Sequence, residues 1–122
     1  MDDTRFGSDG YFSHERLVAC DLALAALKFV SDRKAKLAGL VGGMGPQLER
    51  AVAGAYTNFC AGANAFGAES RRHFKIALSE AGEAGGCALG VFTIGGFTAE
   101  EHAHLRSTLL RLCACLRGLA KV

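Results

Sequence analysis

Apolar residues recur at three- and four-residue spacing along most of this chain, and no run alternates apolar and polar residues long enough for a sheet. The pattern predicts helices throughout, four of them, parted by glycine-bearing turns. The first is expected over 13–38, with Leu17, Cys20, Leu24, Leu27 and Val30 on one stripe. Ser13 stands at its N-cap position, Glu15 suits the positive end of the dipole, and Arg33, Lys34 and Lys36 suit the negative end. The run "GLVGGMG" breaks it. The second helix is expected to start at Pro46, since proline fits the first helical position. Its stripe is Leu48, Val52, Ala55, Phe59, Ala63 and Phe66, with its end near Ala65 or Phe66 and Gly67 as the cap. The third covers 69–89 and buries Phe74, Ala77, Leu78, Ala81, Ala84 and Ala88. Gly95 and Gly96 mark the next turn. The fourth opens on Thr98-Ala99-Glu100-Glu101, a capping box in which Thr98 accepts from the third amide and Glu101 reaches back. Leu105, Leu109, Leu112, Leu116 and Leu119 then share a face, while Arg106, Arg111, Arg117 and Lys121 point elsewhere.

Four helices on short turns give an all-α, antiparallel, up-down-up-down bundle, a single domain over 13–122 behind a flexible tail over 1–12. One stretch strains that picture. Ala51 to Ala68, "AVAGAYTNFCAGANAFGA", holds no charge, and neither does 84–99. The length enters the range of a membrane span, but Thr57, Asn58, Asn64 and several glycines argue against one. A helix apolar on all sides is buried on all sides, so its outer face is expected to meet another subunit. Gly54, Asn58 and Gly62 lie four apart, beside Phe59, and offer a narrow stripe where a second helix can come close.

Length and charge set further bounds. A chain of 122 residues suits one core, and a net charge of +2 is too small to mark a nucleic-acid binder by itself. Five cysteines, an odd number with no Cys-x-x-Cys, read as reduced, mostly buried thiols of a cytoplasmic protein. Met1 to Gly10 is polar and acidic, with no apolar targeting segment.

Chemistry is sparse. Glu101-x-x-His104 is half of a di-iron bundle motif, but no second half stands elsewhere, and Glu101 already serves as a cap. His102 and His104 diverge by about half a turn, as do Cys113 and Cys115, so neither pair can share a metal. No metal, cofactor or catalytic residue is expected. The glycine-rich "GLVGGMGP" lacks the Lys-Ser/Thr of a phosphate loop and follows a helix. The remaining signal is charge: Arg71, Arg72 and Lys75 open the third helix, and an antiparallel bundle brings Arg117 and Lys121 to the same end. Multiplied over the copies of an oligomer, such an end could hold phosphates, although the one aromatic among these cations, Phe74, belongs to the apolar face of the third helix.

"PQLERAVAGAYTNFCAG" followed by "SRRHFKIALSEAGE" resembles the four-helix-bundle family of 23S rRNA intervening-sequence proteins. Gln47, Leu48, Arg50 and Ala51 match that family's entry to the second helix. Asn58 and Gly62 match its Asn-Ile-Ala-Glu-Gly signature, and Phe74, Ile76, Ala77 and Glu83 match its Phe and Ile-Ala-x-Gly-Ser-x-x-Glu. The resemblance covers roughly 13–120. Departures identify the chain as a divergent member: Ala61 replaces the signature glutamate, Phe59 its isoleucine, and Ser79-Glu80 the Gly-Ser pair. The Pro and Tyr-Gly-Leu features between the first two helices are replaced by "GLVGGMG".

The resemblance implies a homopentamer with a central opening and no established enzymatic activity. Relatives among the accessory proteins of diversity-generating retroelements are basic pentamers that associate with nucleic acid and a reverse transcriptase. The expected function is therefore a non-enzymatic, homo-oligomeric accessory protein that contacts RNA or DNA through its basic end. A purely structural or protein-binding ring is the alternative, and a metal-dependent bundle enzyme the remote one.

Overall fold

The computed structural model describes residue 5 and residues 7–122. Among them there is no strand, and four long helices carry the fold. They are α1 (Val18–Ser31), α3 (Met44–Ala63), α4 (Gly67–Thr93) and α5 (Ala99–Ala120), with a one-turn helix α2 (Lys34–Leu37) between the first two. The expected tail over 1–12 falls partly outside the described residues; its described part is non-helical.

The first expected helix is in fact three pieces. Ser13–Arg16 is a 3-10 turn, and Leu17 is extended (φ −95°, ψ 140°), so α1 starts only at Val18 and Ser13 does not cap it. Glu15 accepts from the Phe12 amide at 2.7 Å, which closes the 3-10 turn. At the other end the chain leaves the helix at Arg33 (φ −110°, ψ 12°). The Arg33 guanidinium donates to the Phe29 carbonyl at 3.0 Å and so satisfies one of the orphan acceptors at the end of α1. The chain then turns back to bury Leu37 among Val30, Leu48 and Val91. Arg33 does complement the end of α1, as expected, and it also joins Lys36 in a tertiary contact with Glu101.

Other boundaries move less. The second expected helix, α3, begins two residues before Pro46, at Met44. Gly43 takes the left-handed conformation at its N-cap (φ 66°) after Gly42 (φ 69°), which is why a glycine pair stands there. Gly67 does not cap α3: it is left-handed (φ 58°) and opens α4, which runs on to Thr93 rather than stopping at 89. Phe66, expected on the buried stripe, is 91% exposed. Thr98 and Glu101 form the expected capping box, at 3.1 and 2.9 Å.

Two apolar clusters fill the bundle. One joins Ala19 and Ala23 of α1 to Phe59 of α3, Phe74 and Ala77 of α4, and Leu112 and Leu116 of α5. The other joins Val30, Leu48, Val91 and Leu105. The beginning of α4 and the end of α5 therefore sit in the same cluster, at the same end as the beginning of α1. The bundle is thin in large side chains and rich in alanine, so its helices approach closely. A Cβ on Gly62 would lie 2.7 Å from the Phe74 ring, and one on Gly54 would lie 2.8 Å from a Glu80 carboxylate oxygen.

Candidate nucleic-acid interface

The basic end is built by two helix termini. Arg71, Arg72 and Lys75 lie in the first turns of α4 and Arg117 and Lys121 at the close of α5, all of them exposed. Among the described residues Arg71, Lys75, Arg117 and Lys121 form no ion pair. Arg72 differs. It forks onto Glu69 at 2.9 and 3.4 Å, and this pairing holds the Glu69 carboxyl below the usual range. The α4 N-terminus carries no side-chain cap, so its first amides are unsatisfied by side chains.

A short network fixes this end. His73 bridges the two helices: its Nε2 lies 3.0 Å from Glu69 Oε1 and its Nδ1 3.2 Å from Asn58 Oδ1 on α3. Asn58 in turn donates to the Gly54 carbonyl at 3.0 Å. Asn58 thus completes its hydrogen bonds within the chain, partly through a histidine that sequence reasoning did not single out. The Glu69-x-x-x-His73 spacing was a visible helical pair, but the Asn58 partner is fifteen residues away and only tertiary packing reveals it.

Exposed aromatics also gather here. Phe66 immediately precedes α4, and Tyr11 and Phe12 stand on the segment before the 3-10 turn. The contact of His14 with Asn64, at 2.9 Å between Nδ1 and Nδ2, holds that segment against the end of α3. Arg16 lies over the Tyr11 ring at 5.4 Å. Phe66 is local to the cations that open α4, whereas Tyr11 and Phe12 are brought to this end of the bundle with the segment that His14 ties to Asn64.

The stripe proposed for a subunit contact is used internally. Phe59 is fully buried and Gly62 is covered by Phe74, while Gly54 faces Glu80. The helix that comes close at this stripe is α4 of the same chain, and Phe59 and Gly62 retain almost no surface for a second subunit. The reason is physical: once the glycines admit α4 at short range, its side chains fill the space.

At the opposite end Glu101 does more than cap α5. Lys36 Nζ approaches it at 2.5 Å and Arg33 Nε at 2.7 Å, and Lys36, the Thr98 amide and Arg33, in that order, drive its pKa down to about 2. His104 packs on Phe29 at 5.3 Å, whereas His102 stacks on Phe92 at 4.5 Å, so the two rings serve different helices. No group of three His, Cys, Asp or Glu side chains suited to a metal comes together among the described residues. All five cysteines are free, and burial pushes the Cys20, Cys60, Cys87 and Cys113 thiols up, away from the thiolate a nucleophile needs. Among the described residues no helix is long and apolar enough to cross a membrane.

No protein-family model matches the chain, and no curated protein matches it. Among solved structures it is similar to a crystal structure of a protein of unknown function from the S23 ribosomal protein family of Bacteroides thetaiotaomicron. The TM-score is 0.78 at 19% sequence identity, over 86% of this chain and 100% of that one. The two proteins share a fold, an all-α helical bundle.

Proposed function

We propose that this chain is a divergent member of the 23S rRNA intervening-sequence protein family. In this reading it is a cytoplasmic, non-enzymatic accessory protein that assembles as a homopentameric ring of antiparallel up-down-up-down bundles. It contacts RNA or DNA through the basic end of each bundle, alongside a partner protein such as a reverse transcriptase. The sequence signature around Asn58 and Gly62 and the likeness in fold to the S23 family protein support the family reading. The alternation of early and late helix halves within each apolar cluster supports the up-down order.

The observation that carries the nucleic-acid reading is the set of cations at one end, without ion pairs among the described residues, on the same end as exposed Phe66, Tyr11 and Phe12. Phosphate attracts the cations and the uncapped amides of α4, and unstacked bases find aromatic faces, the combination single-strand binders use. The fork of Arg72 onto Glu69 keeps the one acid in the first turn of α4 from facing a phosphate unscreened. Self-association is supported by exposed apolar surface on the second half of α4 and on α5, including Leu89, Phe92 and Leu110.

Retention on single-stranded RNA or DNA should fall steeply with salt, and replacing Arg71 and Lys75 with glutamine should flatten that dependence. If the protein is not retained even at low salt, the nucleic-acid reading fails and a ring serving protein contacts replaces it.

A further inference from the structure

An open groove runs along the outer side of α4 and α5. Ala81, Leu109 and Cys113 make its floor. Its α4 wall is nearly bare backbone, since a Cβ at Gly82, Gly85 or Gly86 would meet nothing within 4 Å. Leu89 and Leu110, 49% and 57% exposed, flank it. Arg106 and Arg117 stand on its α5 side without an ion pair among the described residues. They are eleven residues apart, three helical turns, so they project the same way about 16 Å from each other.

The outer face of α1 carries the opposite pattern at the same span. Asp21 and Asp32 are also eleven residues apart, with exposed Ala25 and Lys28 between them. Asp32 keeps helical dihedrals (φ −63°, ψ −18°), so the register runs through to it. Arg106, Leu110, Cys113 and Arg117 occupy the same relative positions on α5 as Asp21, Ala25, Lys28 and Asp32 on α1. Each aspartate has one cation at its side, Arg5 at 3.4 Å and Lys28 at 3.2 Å, in solvent-exposed pairs that leave room for a second. The exposed α1 stripe is separate from the groove, because α1 lies against α3 and α5 whereas the groove opens between α4 and α5.

We propose that the α1 face of one copy seats in the α4–α5 groove of the next, with Asp21 and Asp32 pairing with Arg106 and Arg117. Ala25 then lies against the glycine wall, where small residues on both sides let the helices approach closely, and the charges set register and partner. The lysine between the aspartates lays its aliphatic stem along the groove and keeps its ammonium at the rim. Two different surfaces are used, so the contact is head-to-tail, the kind that builds a ring or a filament rather than a two-fold dimer. This rests on the assembly half of the proposed function. It also assigns Arg117 to the seam, which leaves Arg71, Lys75 and Lys121 of each subunit facing phosphate.

The test is light scattering on four chains: the wild type, Asp21→Arg/Asp32→Arg, Arg106→Asp/Arg117→Asp, and the chain carrying all four changes. The wild type should assemble, each charge-reversed pair should weaken assembly by about tenfold or more, and the fourfold chain should reassemble. Mixing the two charge-reversed proteins should restore assembly with the two alternating, since the Asp face of one fits the Arg groove of the other and the reversed face and groove pair as in the fourfold chain. Gly85→Leu should abolish assembly while leaving the helical content unchanged, because leucine is the better helix former. A monomeric wild type overturns both this proposal and the assembly reading. An assembled wild type indifferent to the charge reversals, or a fourfold chain that stays apart, overturns the groove alone.

Discussion

Glu101 is the most constrained charged residue of the described chain. Its side chain is only 18% exposed and holds Lys36, Arg33 and the Thr98 amide at once. Because its folded pKa, about 2, lies below the ordinary value of 4.5, the stability it contributes is present above about pH 4.5 and is lost as pH falls toward 2. Glu101→Gln should cost about 1–2 kcal/mol at neutral pH, less than the full shift implies because Lys36 is well exposed and screened. Chemical denaturation at pH 7 and again at pH 2.5 measures it. The difference between wild type and variant should shrink at the lower pH, and an equal difference at both would refute the assignment. Gly62 makes the second residue-scale prediction. A side chain there would collide with the Phe74 ring, so Gly62→Val should destabilise by about 1–3 kcal/mol even though valine is the larger apolar residue. Gly118→Val, exposed and outside the groove, serves as the control and should be close to neutral.

At the scale of elements, periodicity announced the long helices and their apolar faces, and the capping box placed the start of α5 correctly. Periodicity failed where a local preference lost to a tertiary one. The stretch 13–38 reads as a single helix, but Arg33 turns aside to the Phe29 carbonyl and Glu101, and the chain folds back to bury Leu37. Phe66 fits a helical stripe by spacing, yet the helix ends before it. The fold-back segment is held by a close fit: a Cβ on Gly45 would overlap the Leu37 carbonyl. Gly45→Ala should therefore destabilise by at least about 2 kcal/mol despite the gain in helix propensity. Thermal melts decide it, and an unchanged or raised midpoint would mean that the α2 turn moves freely.

For the whole molecule, charge is meaningful only through placement. A net charge of +2 says little, but four exposed cations at one end of a bundle, without an ion pair among the described residues, make a local field. One chain presenting three or four phosphate contacts should show a salt slope of roughly −2 to −3 on single strands. An assembled ring presents several such ends, so the slope on a long strand should be steeper than on a strand of a few nucleotides. Equal slopes on both would mean that the subunits bind independently of any assembly.

The sequence by itself determined the all-α class, the four long helices, the capping box of α5 and the close approach of helices at Gly54 and Gly62. These follow from local chemistry: periodic burial, end groups that need partners, and the absence of side chains at glycine. It assigned the glycine stripe to a second subunit, because any helix surface fits a small-residue gap, and only packing shows that α4 of the same chain lies against Gly54 and Gly62. Nor could it find the His73 bridge to Asn58, or the ion pairs of Glu101 with Arg33 and Lys36. Each of these joins residues well apart in the chain, and their meeting depends on how the helices align, which no local pattern encodes.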